Sequence, residues 1–228
     1  MASIASKLQQ VRQRIDDACK RAQRPVQSVT LLAVSKTFDV EAVREAHAVG
    51  QQAFGENYVQ EALAKIESLA DLCDSIHWHL IGPLQSNKTR EVAAAFDWVH
   101  TIDRLKLAER LSAQRPAHRP PLQVCLQVNV SGEASKSGVA PGDVAALARA
   151  VAALPNLRLR GLMSIPAPVN GFDAQRAPHR QLRELLEALR SQGLALDTLS
   201  MGMSADLEAA IAEGATIVRV GSAIFGQR

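Results

Sequence analysis

Ser28-Val-Thr-Leu-Leu-Ala-Val-Ser35 is a nearly continuous run of apolar and β-branched residues. Such a run is typical of a strand buried on both faces, as in a parallel sheet. It follows residues 3–24, whose apolar positions have helical spacing, and Pro25 ends that pattern because proline cannot continue a helix. The chain therefore begins with a helix that leads into a buried strand.

The same alternation of strand and helix continues to the end of the chain. We predict further strands over residues 51–55, 76–81, 98–102, 122–130, 157–163, 197–201 and 216–220. Helices are predicted over residues 39–49, 56–69, 89–96, 141–154, 174–192 and 204–213, with Asp39, Asp103 and Ser204 as helix N-caps. Eight alternating strands favour an α/β fold, a single (β/α)8 TIM-type barrel domain over residues 1–228, with residues 1–24 as an extra helix packed on it. An open doubly wound sheet is the alternative, but no G-x-G-x-x-G follows the first strand.

Composition limits the classes of partner. The 228 residues are 47% hydrophobic, which is enough for one substantial core. The net charge is +3 and no dense basic run accompanies it, so we expect no nucleic-acid partner. Three widely spaced cysteines without a C-x-x-C pair fit a reducing compartment. No apolar run reaches the roughly 20 residues of a membrane span, so we expect a cytoplasmic protein that does not contact membranes.

A lysine stands where the first strand ends. In (β/α)8 barrels the active site lies at the carboxyl ends of the strands, and Lys36 directly follows Val34-Ser35. Partial burial there would lower the pKa of the lysine and favour the neutral amine that forms a Schiff base. The alternative is an ordinary strand-end lysine with its head group in water.

Two glycine-containing segments follow the last two strands, residues 200–204 and 219–226. Barrels frequently bind phosphate with the loops after strands seven and eight and a short extra helix. The glycines allow close approach of the backbone, and a helix start offers free N–H donors. The alternative is that they form tight turns only. Together with Lys36, these loops suggest a phosphorylated aldehyde, and pyridoxal 5′-phosphate (PLP) is the cofactor of that class.

Several long motifs resemble the pyridoxal phosphate homeostasis protein family. They are Leu32-Ala-Val-Ser-Lys36-Thr37, Phe54-Gly-Glu-Asn-Tyr-Val-Gln-Glu61, His79-Leu-Ile-Gly-Pro-Leu-Gln-Ser-Asn-Lys88, Ser135-Lys-Ser-Gly138, Gly161-Leu-Met, Leu199-Ser-Met-Gly-Met-Ser204 and Val218-Arg-Val-Gly-Ser-Ala-Ile-Phe-Gly226. The resemblance spans nearly the whole chain. The family is itself similar to the N-terminal barrel of alanine racemase and of ornithine decarboxylase.

The resemblance implies roles for individual residues. Lys36 is expected to hold PLP as a Schiff base, the internal aldimine, and Arg219 to face the pyridine nitrogen. Ser204, Gly221 and Ser222 are expected to hold the phosphate. The remaining candidate cofactor-binding residues are Asn57, His79, Ser164 and Met201. For Arg219 the alternative is a salt bridge inside the barrel.

One position departs from the family pattern. Many members carry a second lysine two positions after the first, where this chain has Phe38. Lys136 stays as a candidate secondary lysine for holding or transferring the cofactor, with an ordinary solvated loop lysine as the alternative.

The resemblance implies a carrier and regulator of vitamin B6 rather than an enzyme, with PLP-dependent apo-enzymes as possible recipients of the cofactor and a monomer as the expected state. The first alternative is a weak PLP-dependent amino-acid racemase. Racemisation with two bases needs a second proton donor, which in alanine racemase is a tyrosine from a C-terminal β-domain. This chain ends at Arg228, directly after the last barrel segment, and its one tyrosine, Tyr58, is interpreted as a packing or lining residue.

The second alternative is a metal-dependent hydrolase with His77 and His79 as ligands. Both point to one face of a strand because they are two residues apart. No further histidine or aspartate at a strand end completes a set of ligands, so we interpret them as inward-facing structural or pocket histidines.

Overall fold

The eight predicted strands form a closed parallel barrel in chain order. The computed structural model describes residues 3–133 and 137–226. The strands are β1 (Thr30–Val34), β2 (Ala53–Glu56), β3 (His77–Leu80), β4 (Trp98–Ile102), β5 (Leu122–Gln127), β6 (Leu157–Met163), β7 (Thr198–Ser200) and β8 (Ile217–Val220). Pairing of β1 with β8, in which Leu32 lies opposite Arg219, closes the barrel. The predicted (β/α)8 fold is confirmed.

Nine helices lie within the described residues. They are α1 (Ile4–Arg21), α2 (Val40–Ala48), α3 (Val59–Ser68), α4 (Thr89–Ala95), α5 (Leu105–Gln114), α6 (Val144–Ala152), α7 (Phe172–Ser191), α8 (Leu207–Ala212) and α9 (Ser222–Phe225). Asp39 is the N-cap of α2, as predicted, and its carboxylate accepts a hydrogen bond from the Ala42 N–H at 2.9 Å.

Helix α1 occupies the position that a long helix after β8 would take. It packs against α2, α8 and α9, and its buried face is Leu8, Val11, Ile15, Ala18 and Cys19. Arg14 reaches across to Glu208 of α8 with two hydrogen bonds of 2.8 Å. The ring of helices around the barrel is thus completed from the amino-terminal end of the chain.

The barrel interior holds a small apolar cluster. It comprises Leu32, Val34, Ala53, Ile81 and Ile217, with Trp98 packed against it. The larger core lies between the strands and the helices. Alternate residues of each strand point inward. The inward-facing residues outside this apolar cluster therefore determine which polar groups the barrel interior contains.

Two predicted helix starts are wrong. Helix α3 starts at Val59 rather than at residue 56, because Glu56 still pairs with Leu80 in the sheet. Asp103 does not cap α5, since the N-cap position falls on Arg104 and the Asp103 carboxylate pairs instead with the Arg104 guanidinium at 2.6 Å.

Two further bounds differ near the carboxyl ends of strands. Ser204 does not cap α8, which begins at Leu207 after a turn with Asp206 in the N-cap position. Strand β5 ends at Gln127 instead of residue 130, because the chain turns back and the Gln127 carbonyl accepts from the Val139 N–H at 2.8 Å.

The three cysteines are all free, and Cys19 and Cys125 are buried. Burial raises the pKa of the Cys125 thiol to about 12, so this cysteine is a neutral core residue at neutral pH. Among the described residues, no helix is both long enough and apolar enough to cross a membrane.

Candidate functional site

Most of the predicted site residues lie at one mouth of the barrel. Each directly follows a strand or lies within a few residues of its end: Lys36 after β1, Asn57 after β2, Ser164 after β6, Met201 and Ser204 after β7, and Gly221 and Ser222 after β8. Because all eight strands are parallel, their carboxyl ends open on the same side. Five separate strands therefore contribute to one site.

Lys36 is exposed, whereas Ser35 before it is fully buried. The expected partial burial of the lysine is wrong, because Lys36 lies two residues beyond the last residue of β1. The chain then turns at Thr37, whose φ of 70° is in the left-handed region. A non-glycine residue there is uncommon and must be held by its surroundings.

Both peptide groups that flank Lys36 are held by charged side chains of α3. The Ser35 carbonyl accepts a hydrogen bond from Lys65 Nζ at 2.6 Å. On the other side, the Thr37 N–H donates to Glu61 Oε1. The backbone of Lys36 is therefore fixed while its side chain is left free at the mouth.

A buried ion cluster supports these two hydrogen bonds. Lys65 Nζ lies 2.7 Å from both Glu56 Oε1 and Glu61 Oε1, and Ser35 Oγ donates to Glu56 at 2.6 Å. Glu56 is fully buried and Lys65 is 4% exposed. Burial raises the pKa of Glu56, against the opposing effect of the hydrogen bonds from Lys65 and Ser35. We refer to Ser35, Glu56, Glu61 and Lys65 as the Lys36 clamp.

Arg219 is buried in the barrel interior beneath the mouth. Its Nη1 donates to Ser200 Oγ at 2.9 Å and its Nη2 donates to the Ser164 carbonyl at 2.8 Å. Burial lowers the pKa of Arg219 to about 10, which leaves the guanidinium charged at neutral pH. Within the described part of the chain no carboxylate forms a salt bridge with it, so the interior salt bridge considered as an alternative is not observed.

The loop between β7 and α8 is fixed on three sides. Asp206 accepts the Met203 N–H at 2.7 Å and lies 2.9 Å from His179 Nε2 of α7. Burial alone would raise the pKa of Asp206, but these two hydrogen bonds hold it below its ordinary value. The Ser204 carbonyl accepts from Arg14 Nη2 at 3.0 Å. Ser204 is therefore held in a rigid turn, although it does not cap the helix.

The turn from β8 into α9 approaches the end of β1 closely. A Cβ on Gly221 would lie 3.1 Å from the Val34 carbonyl oxygen, so a larger residue would push the turn away from Lys36. The first N–H groups of α9, which begins at Ser222, have no partner inside the helix. Phe225 of this helix packs on Phe38, with ring centroids 5.1 Å apart. These contacts place the first N–H groups of α9 close to the end of β1, the strand that precedes Lys36.

Two buried polar atoms at the mouth, Asn57 Oδ1 and Ser164 Oγ, have no hydrogen-bond partner among the described residues. Buried polar atoms are normally paired, so each marks a place where a ligand or water completes the bonding. A cavity of ≈ 240 Å³ opens beside Asn57 and is lined also by Ile81 and Gln127. The mouth thus combines space with unused donors and acceptors.

The remaining candidates lie elsewhere. His79 is inside the barrel, where its Nδ1 lies 2.9 Å from His100 Nε2. His77 is exposed at the opposite end of β3, so the expectation that both histidines point into a pocket together is wrong for His77. In residues 3–133 and 137–226, no group of three or more His, Cys, Asp or Glu side chains could hold a metal ion. Lys136 lies outside the described residues.

Sequence reasoning missed the clamp and the polar residues around Arg219. Glu61 and Lys65 form an i,i+4 pair on a predicted helix, a visible signal that indicates a surface ion pair rather than a buried one. His100 lies two residues after Trp98 in a predicted strand, so inward orientation of both could have been inferred. Nothing in the pattern indicated the pairing of His179 with Asp206.

Comparison with known proteins identifies close relatives. Residues 6–228 match the family model of the alanine racemase N-terminal domain. The pyridoxal phosphate homeostasis protein of Pseudomonas aeruginosa is 62% identical over 228 residues, which are 100% of this chain and 97% of the relative. The protein of the same name from Escherichia coli K12 is 53% identical, covering 100% and 98%.

Solved structures show the same architecture. PipY of Synechococcus elongatus PCC7942, solved with PLP bound, is 42% identical with a TM-score of 0.83, covering 98% of this chain and 100% of PipY. An alanine racemase from Clostridium difficile 630 has a TM-score of 0.74 at 11% identity, covering 95% of this chain and 56% of the racemase. The second likeness concerns the fold alone.

Proposed function

Because the chain belongs to the pyridoxal phosphate homeostasis protein family, within the wider family of alanine racemase N-terminal domains, we propose that it binds PLP at the barrel mouth through Lys36 and serves as a carrier of the cofactor. The observation that carries this proposal is the juxtaposition of a free lysine on a clamped backbone with the β8–α9 turn. The PLP-bound structure of PipY, at 42% identity, supports the same ligand.

The residues present fit the chemical groups of PLP. A primary amine at Lys36 matches the aldehyde, and the free N–H groups and hydroxyls at Ser204, Gly221 and Ser222 match a phosphate. Arg219 offers N–H donors suited to a ring nitrogen with a lone pair. The unpaired atoms of Asn57 and Ser164 suit the remaining polar substituents. When bound, PLP supplies an electrophilic aldehyde carbon and an electron-withdrawing ring.

The covalent step proposed for Lys36 is reversible. The neutral Nζ adds to the aldehyde carbon, and the carbonyl oxygen leaves as water, so that a C=N bond replaces the C=O bond. Addition of water, or of another amine, reverses the step and frees Lys36. Because Lys36 is exposed at an open mouth, water and amines can reach this bond. That access suits release of the cofactor to PLP-dependent apo-enzymes.

Two features favour a carrier over a racemase. The buried charge of Arg219 disfavours protonation of a ring nitrogen beside it, which weakens the ring as an acceptor of electrons. Tyr58 is 57% exposed and lies at the start of α3, so its position supports a surface role rather than that of a catalytic acid.

Phe38 packs on Phe225 in the place of a second lysine, so transfer would rely on Lys36 alone or on Lys136.

The experiment that tests the proposal is an absorption titration with PLP. Wild-type protein is expected to develop a visible band that borohydride removes, with a permanent mass increase on the peptide that carries Lys36. Lys36→Ala should show neither, whereas Lys106→Ala, which removes another exposed lysine on α5, should behave as wild type. Absence of the band in folded wild-type protein would refute the proposal. Alanine racemisation that rises in proportion to protein concentration would instead favour the racemase.

A further inference from the structure

A line of hydrogen bonds crosses the barrel interior from Arg219 to His79. Arg219 Nη1 lies 2.9 Å from Ser200 Oγ, which lies 2.8 Å from His100 Nδ1. His100 Nε2 in turn lies 2.9 Å from His79 Nδ1. The four residues come from β8, β7, β4 and β3, and none is more than 4% exposed. We refer to Ser200, His100 and His79 as the interior chain.

Arg219 and the lack of another acceptor among the described residues together set the direction of every bond in the interior chain. A guanidinium has only donors, so Ser200 Oγ must accept from it. The hydroxyl hydrogen of Ser200 then goes to His100 Nδ1, the other polar atom that the described residues place within reach. The reverse order, with His100 Nδ1 as donor, would leave that hydrogen without an acceptor in a fully buried site.

The same logic extends to both imidazole rings. With Nδ1 of His100 acting as an acceptor, a neutral His100 carries its hydrogen on Nε2 and donates it to His79 Nδ1. His79 therefore also carries its hydrogen on Nε2. Each ring has one defined tautomer although neither contacts Arg219 directly.

Both histidines are neutral. Burial and the nearby Arg219 charge lower the pKa of His100 to about 3. Burial and, to a smaller extent, His100 and His77 lower the pKa of His79 well below its ordinary value. The two acceptors of the Arg219 guanidinium are likewise uncharged: they are Ser200 Oγ and the Ser164 carbonyl. Among the residues that the structure describes, no carboxylate contacts the guanidinium, although the charge of Asp206 acts on it through space.

We propose that the interior chain is a positioning device for Arg219, which orients the guanidinium with uncharged acceptors, while the nearby Asp206 carboxylate acts on it only through space. A carboxylate in contact could orient the arginine equally well, but it would cancel much of the guanidinium charge. A guanidinium that keeps its charge is a good donor to an uncharged nitrogen with a lone pair, such as the ring nitrogen of PLP. That ligand atom rests on the proposed binding of PLP. Ser200, His100 and His79 act through Arg219 and are positioning residues.

The tautomers can be measured without any ligand. Long-range ¹H–¹⁵N correlation spectra of ¹⁵N-histidine-labelled protein distinguish Nδ1–H from Nε2–H and neutral from charged rings. For wild type we expect His79 and His100 as neutral Nε2–H tautomers at neutral pH. Nδ1–H at His100, or a charged ring, would overturn the proposal.

Variants of Ser200 test what sets the direction. Ser200→Ala removes the hydroxyl that donates to His100 Nδ1, so the direction is no longer set and both rings should populate the other tautomer as well. Ser200→Thr keeps the hydroxyl and should preserve the wild-type tautomers. The control Arg44→Met removes a partly exposed arginine on α2 and should change nothing. Unchanged tautomers in folded Ser200→Ala would contradict the proposal.

Binding of PLP supplies the second readout. Ser200→Ala leaves Lys36 intact but removes one acceptor of the guanidinium, so the dissociation constant for PLP should rise about tenfold, the range expected for one hydrogen bond to a charged group. Ser200→Thr retains the hydroxyl and should bind within about threefold of wild type. Equal affinity of Ser200→Ala and wild type would refute positioning. Failure of wild type to bind PLP would refute the proposed function instead, and the tautomers would still decide whether the interior chain orients Arg219.

Discussion

Removal of the lysine at the centre of the Lys36 clamp should strongly destabilise the protein. Lys65 Nζ donates to the Ser35 carbonyl and contacts the carboxylates of Glu56 and Glu61, all within 2.7 Å. In Lys65→Met the Glu56 carboxylate stays fully buried but loses its cation. Breaking a buried ion pair by removing one partner costs about 3–5 kcal/mol. For a chain of this length that corresponds to a fall in Tm of about 6–20 °C.

The loss should depend on pH in a defined direction. The pKa of Glu56 is already raised in the folded protein, and without Lys65 it should rise further. A carboxyl group whose folded pKa exceeds its unfolded pKa supports the folded state at low pH, and this support is lost as the pH rises through the folded pKa. The deficit of Lys65→Met should therefore be larger at about pH 8 than at about pH 5.

Urea unfolding followed by tryptophan fluorescence and circular dichroism measures these differences. Lys20→Met is the matched control, because Lys20 is exposed and its carboxylate partner Asp17 is 3.7 Å away, so its change should stay within about 0.5 kcal/mol. Adding Glu56→Gln to Lys65→Met should recover much of the loss, since it removes the stranded charge. If the free energy of unfolding of Lys65→Met lies within about 1 kcal/mol of that of the Lys20→Met control at both pH values, the ion cluster around Lys65 does not stabilise the fold.

Three other substitutions have predictable outcomes. Gly161→Ala would place a Cβ 1.8 Å from the Thr198 carbonyl oxygen and should lower the stability by about 1–3 kcal/mol in thermal melts. The control Gly142→Ala places its Cβ where no atom lies within 4 Å and should be close to neutral. Equal melting temperatures of the two variants would contradict the prediction. Asp206→Asn should be less stable than wild type at neutral pH. Because the folded protein lowers the pKa of Asp206, the ionised carboxylate stabilises the fold, and this difference in stability should disappear as the pH falls below about 4. A difference in stability that does not depend on pH would contradict this explanation. Arg115→Met should cost about 3 kcal/mol in urea unfolding, since the Pro120 and Ala93 carbonyls lose their donor, whereas the Phe96 carbonyl keeps a hydrogen bond from Arg119. A loss below about 1 kcal/mol would show that water replaces the guanidinium.

The barrel was predictable because its signals are local. Each buried strand is a short apolar run, and the parallel topology follows from the alternation with helices. Helix starts were less predictable, because Ser204 and Asp103 have the right residue type for a cap, but tertiary contacts determine where the chain turns. At Asp103 an ion pair with its neighbour competes for the carboxylate.

Some residues of the site were predictable from the sequence and others were not. Lys36 and Gly221 were identifiable because strand ends in a barrel define the mouth. The residues of the interior chain come from strands that are far apart in sequence, with Ser200 separated from His100 by 100 residues. No periodicity connects such residues, and their hydrogen bonds become visible only when the barrel closes. The exposure of Lys36 was missed because burial of a strand end depends on where the next turn begins.

The placement of α1 in the ring of helices has a consequence for synthesis on the ribosome. Arg14 and its partner Glu208 are 194 residues apart, so α1 packs largely against helices that are synthesised much later. At about 5–20 residues per second, α8 follows α1 after roughly 10–40 s. During that interval the apolar face with Leu8, Val11 and Ile15 has no native partner on α8 or α9. The ring of helices can therefore close around the barrel only after α8 and α9 have been synthesised.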